Sequence, residues 1–487
     1  MKNNTSNVIR LHTPNIEIDG IDSDIIDWIE SIWQEKKQCY KYIVKPPFLS
    51  RYIRTNAHYF FVRNDANSSV MTYWYKEGVY SQITDQELEG HIKSFIPFDL
   101  YKSSDIKEVL NDLKTDLKFI HNSDLNSDEN IINFKNGLLN LDTMEIEPHS
   151  PSVYSTIQIN SNYIKSILTP EHSVFDNFIK TLTNNNDEIK SLLLQFLGFA
   201  ISNIKGFRTK KALFLQGEGD TGKSQLKKLA EKLVGENNTS SVDLKTLEDR
   251  FGTSSIYNKR IVGSNDMKYA SISEISTFKS LTGGDSVLCE FKGQQQFNFT
   301  YSGLLWFCCN ELPKFGGDKG DWVYERMILV KCDNVIPVEK QNPHIVSDML
   351  KESEYIIYLA LQELKKVIDN KYKFIIPESC IENRTEYKQN NDSVMKFYAE
   401  CITDRPKKFF DNCTKKVLYD VYKAWCKDNN KGYSDTKQQF NESIKKLGLD
   451  EEFKDSKGNR YYKLITLNIE TKREYQDVYG MDSAYSN

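Results

Sequence analysis

The stretch ALFLQGEGDTGKSQLKKLAEKLVG, Ala212 to Gly235, constrains what this chain can fold into more than any other. Apolar Ala212 to Leu215 reads as a buried strand and Gly217 to Gly222 as a glycine-rich turn. From Lys223 the sequence reads as a helix with Leu226, Leu229 and Leu233 on its apolar stripe. Strand, loop and helix in that order are the context that a G-x-x-x-x-G-K-[ST] match needs. The backbone of Gly217, Glu218, Gly219, Asp220, Thr221 and Gly222 can curl its N–H groups around a β-phosphate. Lys223 can reach the β/γ oxygens, and Ser224 can ligate Mg²⁺. The cofactors expected are therefore ATP and Mg²⁺.

At 487 residues the chain exceeds one ordinary core. Its charge, 64 − 68 = −4, is mild overall but segregated. Residues 1–130 hold 15 Lys+Arg against 20 Asp+Glu, net −5, whereas 405–463 hold 15 against 9, net +6. A basic end of this kind suggests a nucleic-acid-binding tail domain. The nine cysteines include no C-x-x-C pair, and Cys308 and Cys309 lie in an apolar run, which argues against disulfides and zinc and fits a reducing cytoplasm. No apolar run is long enough to cross a bilayer, and the first residues lack the h-region of a signal peptide, so a soluble protein without a membrane partner is expected.

The sequence divides into five regions. Residues 1–120 read as a small α+β domain, with a helical pattern over Ser23–Tyr42 (Ile25, Ile26, Ile29, Ile32, Trp33), followed by a hairpin and short strands in YFFVRNDANSSVMTYWYKEGVY. Residues 121–205 comprise a β unit with turns at Asn136-Gly137 and Asp142-Thr143, then an apolar helical segment over 174–202. From 206 to 345 strands and helices alternate, as in a parallel α/β sheet. Residues 346–392 read as a helical lid, an extended FIIPES, and a polar linker near 380–392. Residues 393–487 give helices near 394–402, 413–428 and 436–447, then two strand-like pieces around Asp455 to Gly458, the outline of a winged helix.

Chemistry beyond the loop needs an acid on a neighbouring strand to hold Mg²⁺ and orient water. KRIVGSNDM supplies Asp266 at the end of a short strand Ile261–Gly263. GLLWFCCN is a buried strand ending in Asn310, an amide placed to bond the attacking water or the γ-phosphate. Arg326 precedes another apolar strand and can stabilise transition-state charge in its own subunit or across an interface. VLCEFKGQQQFNF reads as two strands about Lys292-Gly293, with the ammonium thrust outward.

The ordered series GEGDTGKS, KRIVGSND, KSLTGGD, FCCNELP and YERMILV resembles superfamily 3 DNA helicases of the phage and plasmid type. That group includes replication proteins of phage satellites and pathogenicity islands and the poxviral primase-helicase. NFKNGLLNLDTMEIEPHSP and the LGFAIS helix resemble the domain before the motor, so the similarity spans roughly residues 20–335. The resemblance implies a multidomain α/β protein with an AAA+ type P-loop ATPase core, an α+β N-terminal domain and a C-terminal winged helix. It implies a homo-hexamer around single-stranded DNA, translocation 3′ to 5′, Asn310 as sensor, Arg326 as a trans-acting finger and Lys292 as a channel contact. Origin duplex read by the C-terminal domain and phage- or element-encoded regulators complete the expected partners. Asn265 stands where some relatives carry a first acid, which leaves Asp266 to serve metal and water. No acidic metal triad is placed in residues 1–120, so nothing there points to the primase that many relatives carry. A remodelling or packaging ATPase, and an ATP-gated protein-interaction switch, are the alternative functions this sequence admits.

Overall fold

In a computed structural model the protein is described over residues 26–63, 70–115, 118–171, 173–272, 275–293, 295–315, 321–406, 412–429 and 434–479. It is a mixed α/β, multidomain chain. In the first unit the strands run Val79–Ile83, Val70–Lys76, Tyr59–Arg63, Phe119–Ile120 across one sheet. Alternation along the third of these sends Tyr59 and Phe61 towards helices Asp85–Ser94 and Ser103–Lys114, and Phe60 and Val62 to the other face, against Tyr73, Tyr80 and Leu125. The expected hairpin and short strands are present there.

The helix expected over Ser23–Tyr42 is not. Its described part is an antiparallel hairpin, Ile29–Gln34 with Cys39–Val44, in which Ile29 faces Val44 and Trp33 faces Tyr40. Isoleucine and aromatic residues favour a pleated surface, and Gln38, at φ 49°, closes the turn. Ser23 to Ile25 lie outside the described residues.

Strands Ile131–Phe134, Gly137–Asn140 and Glu145–Glu147 form a meander, followed by helices Val174–Leu182 and Asp187–Ile201. The central sheet comes next. Its five strands are parallel and ordered Thr239–Ser240, Ile261–Val262, Leu304–Cys309, Ala212–Gln216, Met327–Lys331. Both faces are covered, which is why these strands read as unbroken apolar runs. Leu213, Leu215, Trp306, Cys308, Ile328 and Val330 pack on helices Asp187–Ile201, Lys223–Val234 and Ser353–Asp369. Phe214, Leu305, Phe307 and Leu329 pack on the opposite side with Leu244, Leu247, Phe278 and Leu281.

Residues 380–392 are not a linker. Helix Glu378–Asn391 lies along the edge strand Met327–Lys331, and buried Asn391 exchanges hydrogen bonds with the Phe315 backbone (3.2 and 3.4 Å) and donates to Tyr324 Oη at 2.6 Å. Beyond it, helices Ser393–Cys401, Lys415–Asp428 and Lys437–Lys446 surround a core of their own with Phe397, Tyr422, Trp425 and Phe440. Hairpin Glu452–Lys454/Arg460–Tyr462 and the strand pair Ile402–Asp404/Ile465–Leu467 complete this unit. Among the described residues no helix is long and apolar enough to cross a membrane.

Candidate functional site

The loop after Ala212–Gln216 leaves the carboxyl edge of the sheet between two neighbouring strands. Gly217 N–H donates to Cys309 O at 3.2 Å, and Cys332 N–H to Gln216 O at 2.7 Å. The following helix Lys223–Val234 starts on Gly222, whose φ of 91° is left-handed and costs little only without a Cβ. Lys223 is buried, and its ammonium donates to Gly217 O at 2.7 Å, to Glu218 O and to Thr221 Oγ1 at 3.1 Å. The loop thus closes around a cation. No hydrogen bond to the described protein uses the backbone N–H groups of Glu218 to Gly222.

Strand Ile261–Val262 ends in a bulge. Gly263 sits at φ 141° with space for a Cβ only 2.1 Å from Trp306 O, so glycine is required there. Ser264 O still accepts from Cys308 N–H at 3.0 Å, and pairing resumes between Met267 and Cys309, leaving Asn265 and Asp266 out of the ladder beside the loop. Ser224 Oγ donates to Asn265 O at 2.6 Å. Burial pushes the Cys309 thiol up to about 12, with Lys223 opposing and Asp266 reinforcing that shift, so both charges act at the end of this strand. Exposed Asn310 is the next residue. Lys223, Ser224, Asp266 and Asn310 are therefore brought together at one edge of the sheet.

Arg326 and Lys292 are at the other. Arg326 precedes strand Met327–Lys331, and its carbonyl accepts from Ala212 N–H at 2.8 Å, at the start of the loop-bearing strand. Five residues at ~3.3 Å each put about 16 Å between it and the loop. Its guanidinium Nη1 donates to Thr282 Oγ1 (2.8 Å) and Lys279 O (3.2 Å). Burial pulls its pKa down, while Asp285 and Glu325 favour the charged form. Lys292 lies exposed at the turn of hairpin Ser286–Cys289/Phe297–Thr300, with Gly293 at φ 78°.

Several residues of this architecture were not read from the sequence. Lys227, fully buried on the loop-bearing helix, pairs with Glu231, whose Oε2 accepts from Asn265 Nδ2 at 3.3 Å. Asn265 therefore turns its side chain away from the loop. The signal available was a Lys and a Glu four apart within the apolar stripe. The Lys292 hairpin is braced beside its turn by Glu290, which accepts from Arg250 Nε (2.8 Å), Arg250 Nη2 (2.6 Å) and Gln296 Nε2 (2.7 Å). The Arg250 hydrogen bonds, then that of Gln296, hold the Glu290 carboxyl below its ordinary range. A cavity of about 260 Å³ lies at the opposite, root end of the hairpin, lined by Lys205, Asn258, Arg260 and Tyr301 and remote from the loop.

Residues 49–184 match a family described as D5 N terminal like, residues 389–474 one described as Poxvirus D5 protein-like, and residues 215–326 a family of unknown function (DUF5906). The chain is 23% identical over 393 residues to the protein named "Putative helicase 121R" of Invertebrate iridescent virus 3. In separate regions the chain is thus similar to D5-related proteins and to a protein named as a viral helicase. The match takes in 71% of this chain and 41% of the iridescent-virus protein, so the chain spans about two fifths of that relative's length. Among solved structures, two apo forms of the NrS-1 C terminal region are similar. The A form has a TM-score of 0.45 at 13% identity, covering 87% of this chain and 100% of that one. The structure of its residues 305–718 has a TM-score of 0.46 at 14% identity, covering 86% and 99%.

Proposed function

We propose that this chain is an ATP-dependent DNA helicase that opens the replication origin of a mobile element, working as a homo-hexameric ring that moves 3′ to 5′. The reading is carried by the convergence of Lys223, Ser224, Asp266 and Asn310 at the carboxyl edge of a parallel sheet, where such sheets receive ligands.

The residues present fit ATP with Mg²⁺. Among the described residues, five successive N–H groups from Glu218 to Gly222 have no acceptor, and they lead into the start of helix Lys223–Val234, which suits an anion-binding nest. Among the described residues no group of three or more His, Cys, Asp or Glu could hold a metal. That suits Mg²⁺, which takes one or two protein oxygens and completes its shell with phosphate and water. Ser224 and Asp266 would hold it, and Lys223 would hold the phosphates. The bound metal would neutralise charge on the terminal phosphates. Asp266, exposed beside Asn310, is the base that positions water, and the Asn310 amide senses the γ-phosphate end. Arg326 is too far from its own loop to serve it, so it acts on the nucleotide of the adjacent subunit. The basic C-terminal unit is read as a winged helix. Its helix Lys437–Lys446 buries Phe440 and Ile444 and leaves Lys437, Gln438 and Lys445 exposed for a major groove.

The test is ATP turnover and forked-DNA unwinding by the intact chain and by Lys223→Ala. The intact chain should turn over ATP faster with single-stranded DNA and separate the fork. The variant should lose both while keeping the fold intact. Turnover by Lys223→Ala within a few-fold of the intact chain would refute the assignment.

A further inference from the structure

The most exposed aromatic surface of the described chain belongs neither to the sheet nor to the phosphate loop. Hairpin Ile29–Gln34/Cys39–Val44 projects from the first unit with Trp33 45% and Tyr40 57% exposed, paired across the strands at 4.9 Å between ring centres. A cross-strand pair of this kind stabilises a hairpin, but it needs no such exposure to do so. Strand Cys39–Val44 lies against the helical turn Phe98–Leu100, where Phe98 is 81% exposed and is followed by half-exposed Tyr101 under the Lys93 ammonium at 4.2 Å. Lys36, Lys37 and Lys41 surround the hairpin tip, all exposed, against a single acid, Glu35. None of the three lysines forms an ion pair with a described residue. Residues 1–130 carry net −5, so this patch is positive within an acidic region.

We propose that this surface is a stacking platform for single-stranded DNA outside the ring channel. The indole and phenol faces take unpaired bases, and the tip lysines hold the phosphates between them without reading sequence. A duplex offers no free base face, so the surface discriminates for unpaired strand, and the charge complement is that of a polyanion. Placed on the unit that precedes the motor, it would hold strand entering or leaving the ring. It rests on the helicase reading for that role, but its binding does not require ATP turnover.

The experiment uses the full chain without nucleotide and a fluorescein-labelled oligothymidylate of about 20 nucleotides, with a duplex of the same length as the second probe, both at one salt concentration. Trp33→Ala combined with Tyr40→Ala should weaken single-strand binding about ten-fold, since each stacked base contributes substantially. Duplex binding and basal ATP turnover should stay as in the intact chain, and the fold should be kept, since losing one exposed cross-strand pair costs little. Trp33→Phe with Tyr40→Phe, which keeps a π-face, should retain most of the affinity. Single-strand affinity within two-fold of the intact chain would overturn the proposal. An equal loss on duplex and single strand would overturn stacking too. If the intact chain turns over no ATP, the motor reading fails while the binding comparison still decides this one.

Discussion

Asn265→Asp would install the acid that stands at this position in some relatives, and the structure argues that it harms rather than helps. The Asn265 side chain donates to the Glu231 carboxylate at 3.3 Å, and that carboxylate is already paired with fully buried Lys227. Replacing the amide removes a hydrogen bond to a charged group, about 1.5–3 kcal/mol. It also sets two carboxylates face to face, and like charges ~4 Å apart repel by about 4 kcal/mol at an effective dielectric of ~20. Lys227 offsets part of this, and one carboxyl can bind a proton. A net loss of about 2–4 kcal/mol at neutral pH follows, or roughly 5–10 °C in Tm for a unit of this size. The pH dependence has a definite sign. A facing like charge raises a carboxyl's folded pKa above its unfolded value. The penalty is therefore absent below the ordinary carboxyl pKa of about 4 and grows as pH rises through the raised folded value. Thermal unfolding of Asn265→Asp should consequently approach that of the native chain at pH 5 and fall away from it at pH 7. Adding Glu231→Gln should recover most of the loss, the coupling expected of side chains in contact. ATP turnover measured in parallel should drop, because repulsion from Glu231 would shift the strand end whose backbone carbonyl, at residue 265, fixes the Ser224 hydroxyl. An Asn265→Asp protein with unchanged Tm and equal or higher turnover would show that this side chain faces the metal rather than Glu231.

Arg326→Ala and Lys223→Ala chains, each inactive alone, should recover ATP turnover when mixed, because a finger supplied across an interface contributes ~10³ to 10⁵ in rate. Turnover at the sum of the two inactive proteins in demonstrably mixed rings would place the finger elsewhere. Lys292→Ala should keep basal turnover and assembly but lose unwinding and most DNA stimulation, with Lys292→Arg retaining part of both. Fork separation at the native rate by Lys292→Ala would move the DNA contact off the hairpin.

What was legible in the sequence was what depends on neighbours along the chain. The loop from Gly217 to Ser224 is a local backbone requirement, and the strands Ala212–Gln216 and Leu304–Cys309 announce themselves because both faces are buried. The reversal at Lys292-Gly293 was legible for the same reason. Residues 29–44 were misread because Ile29, Ile32 and Trp33 match a helical spacing, while the decisive pairing, Trp33 with Tyr40, is a cross-strand contact. Helix Glu378–Asn391 was missed because its contacts do not form an apolar stripe. It is held by buried Cys380, by Tyr387 and by the amide of Asn391. Lys227, Glu231 and Asn265 meet only when a helix and a strand end are brought together, so no spacing could have paired Glu231 with Asn265.

The two ends of the sheet are joined by the residues that link them. Helix Ser276–Gly283 runs into strand Ser286–Cys289, so its last turn is the root of the Lys292 hairpin. Arg326 is fastened to that turn through Thr282 and Lys279, both uncharged acceptors here, with the Trp322 ring 5.9 Å from the guanidinium. A phosphate presented by an adjacent subunit offers hydrogen bonds in which the acceptor too is charged, stronger than these to neutral oxygens, and would draw Arg326 away. On the proposed reading, nucleotide in one subunit thereby unfastens the hairpin root of the next. Within the subunit, the hairpin's other strand leads through Tyr301 and Gly303 into Leu304–Cys309, which ends at Asn310. A hairpin anchored on one side to a neighbour's nucleotide and on the other to its own responds to both. Movement of Lys292 is then set by the difference in nucleotide between adjacent subunits, which is the condition for a ring to advance on DNA in order rather than at random.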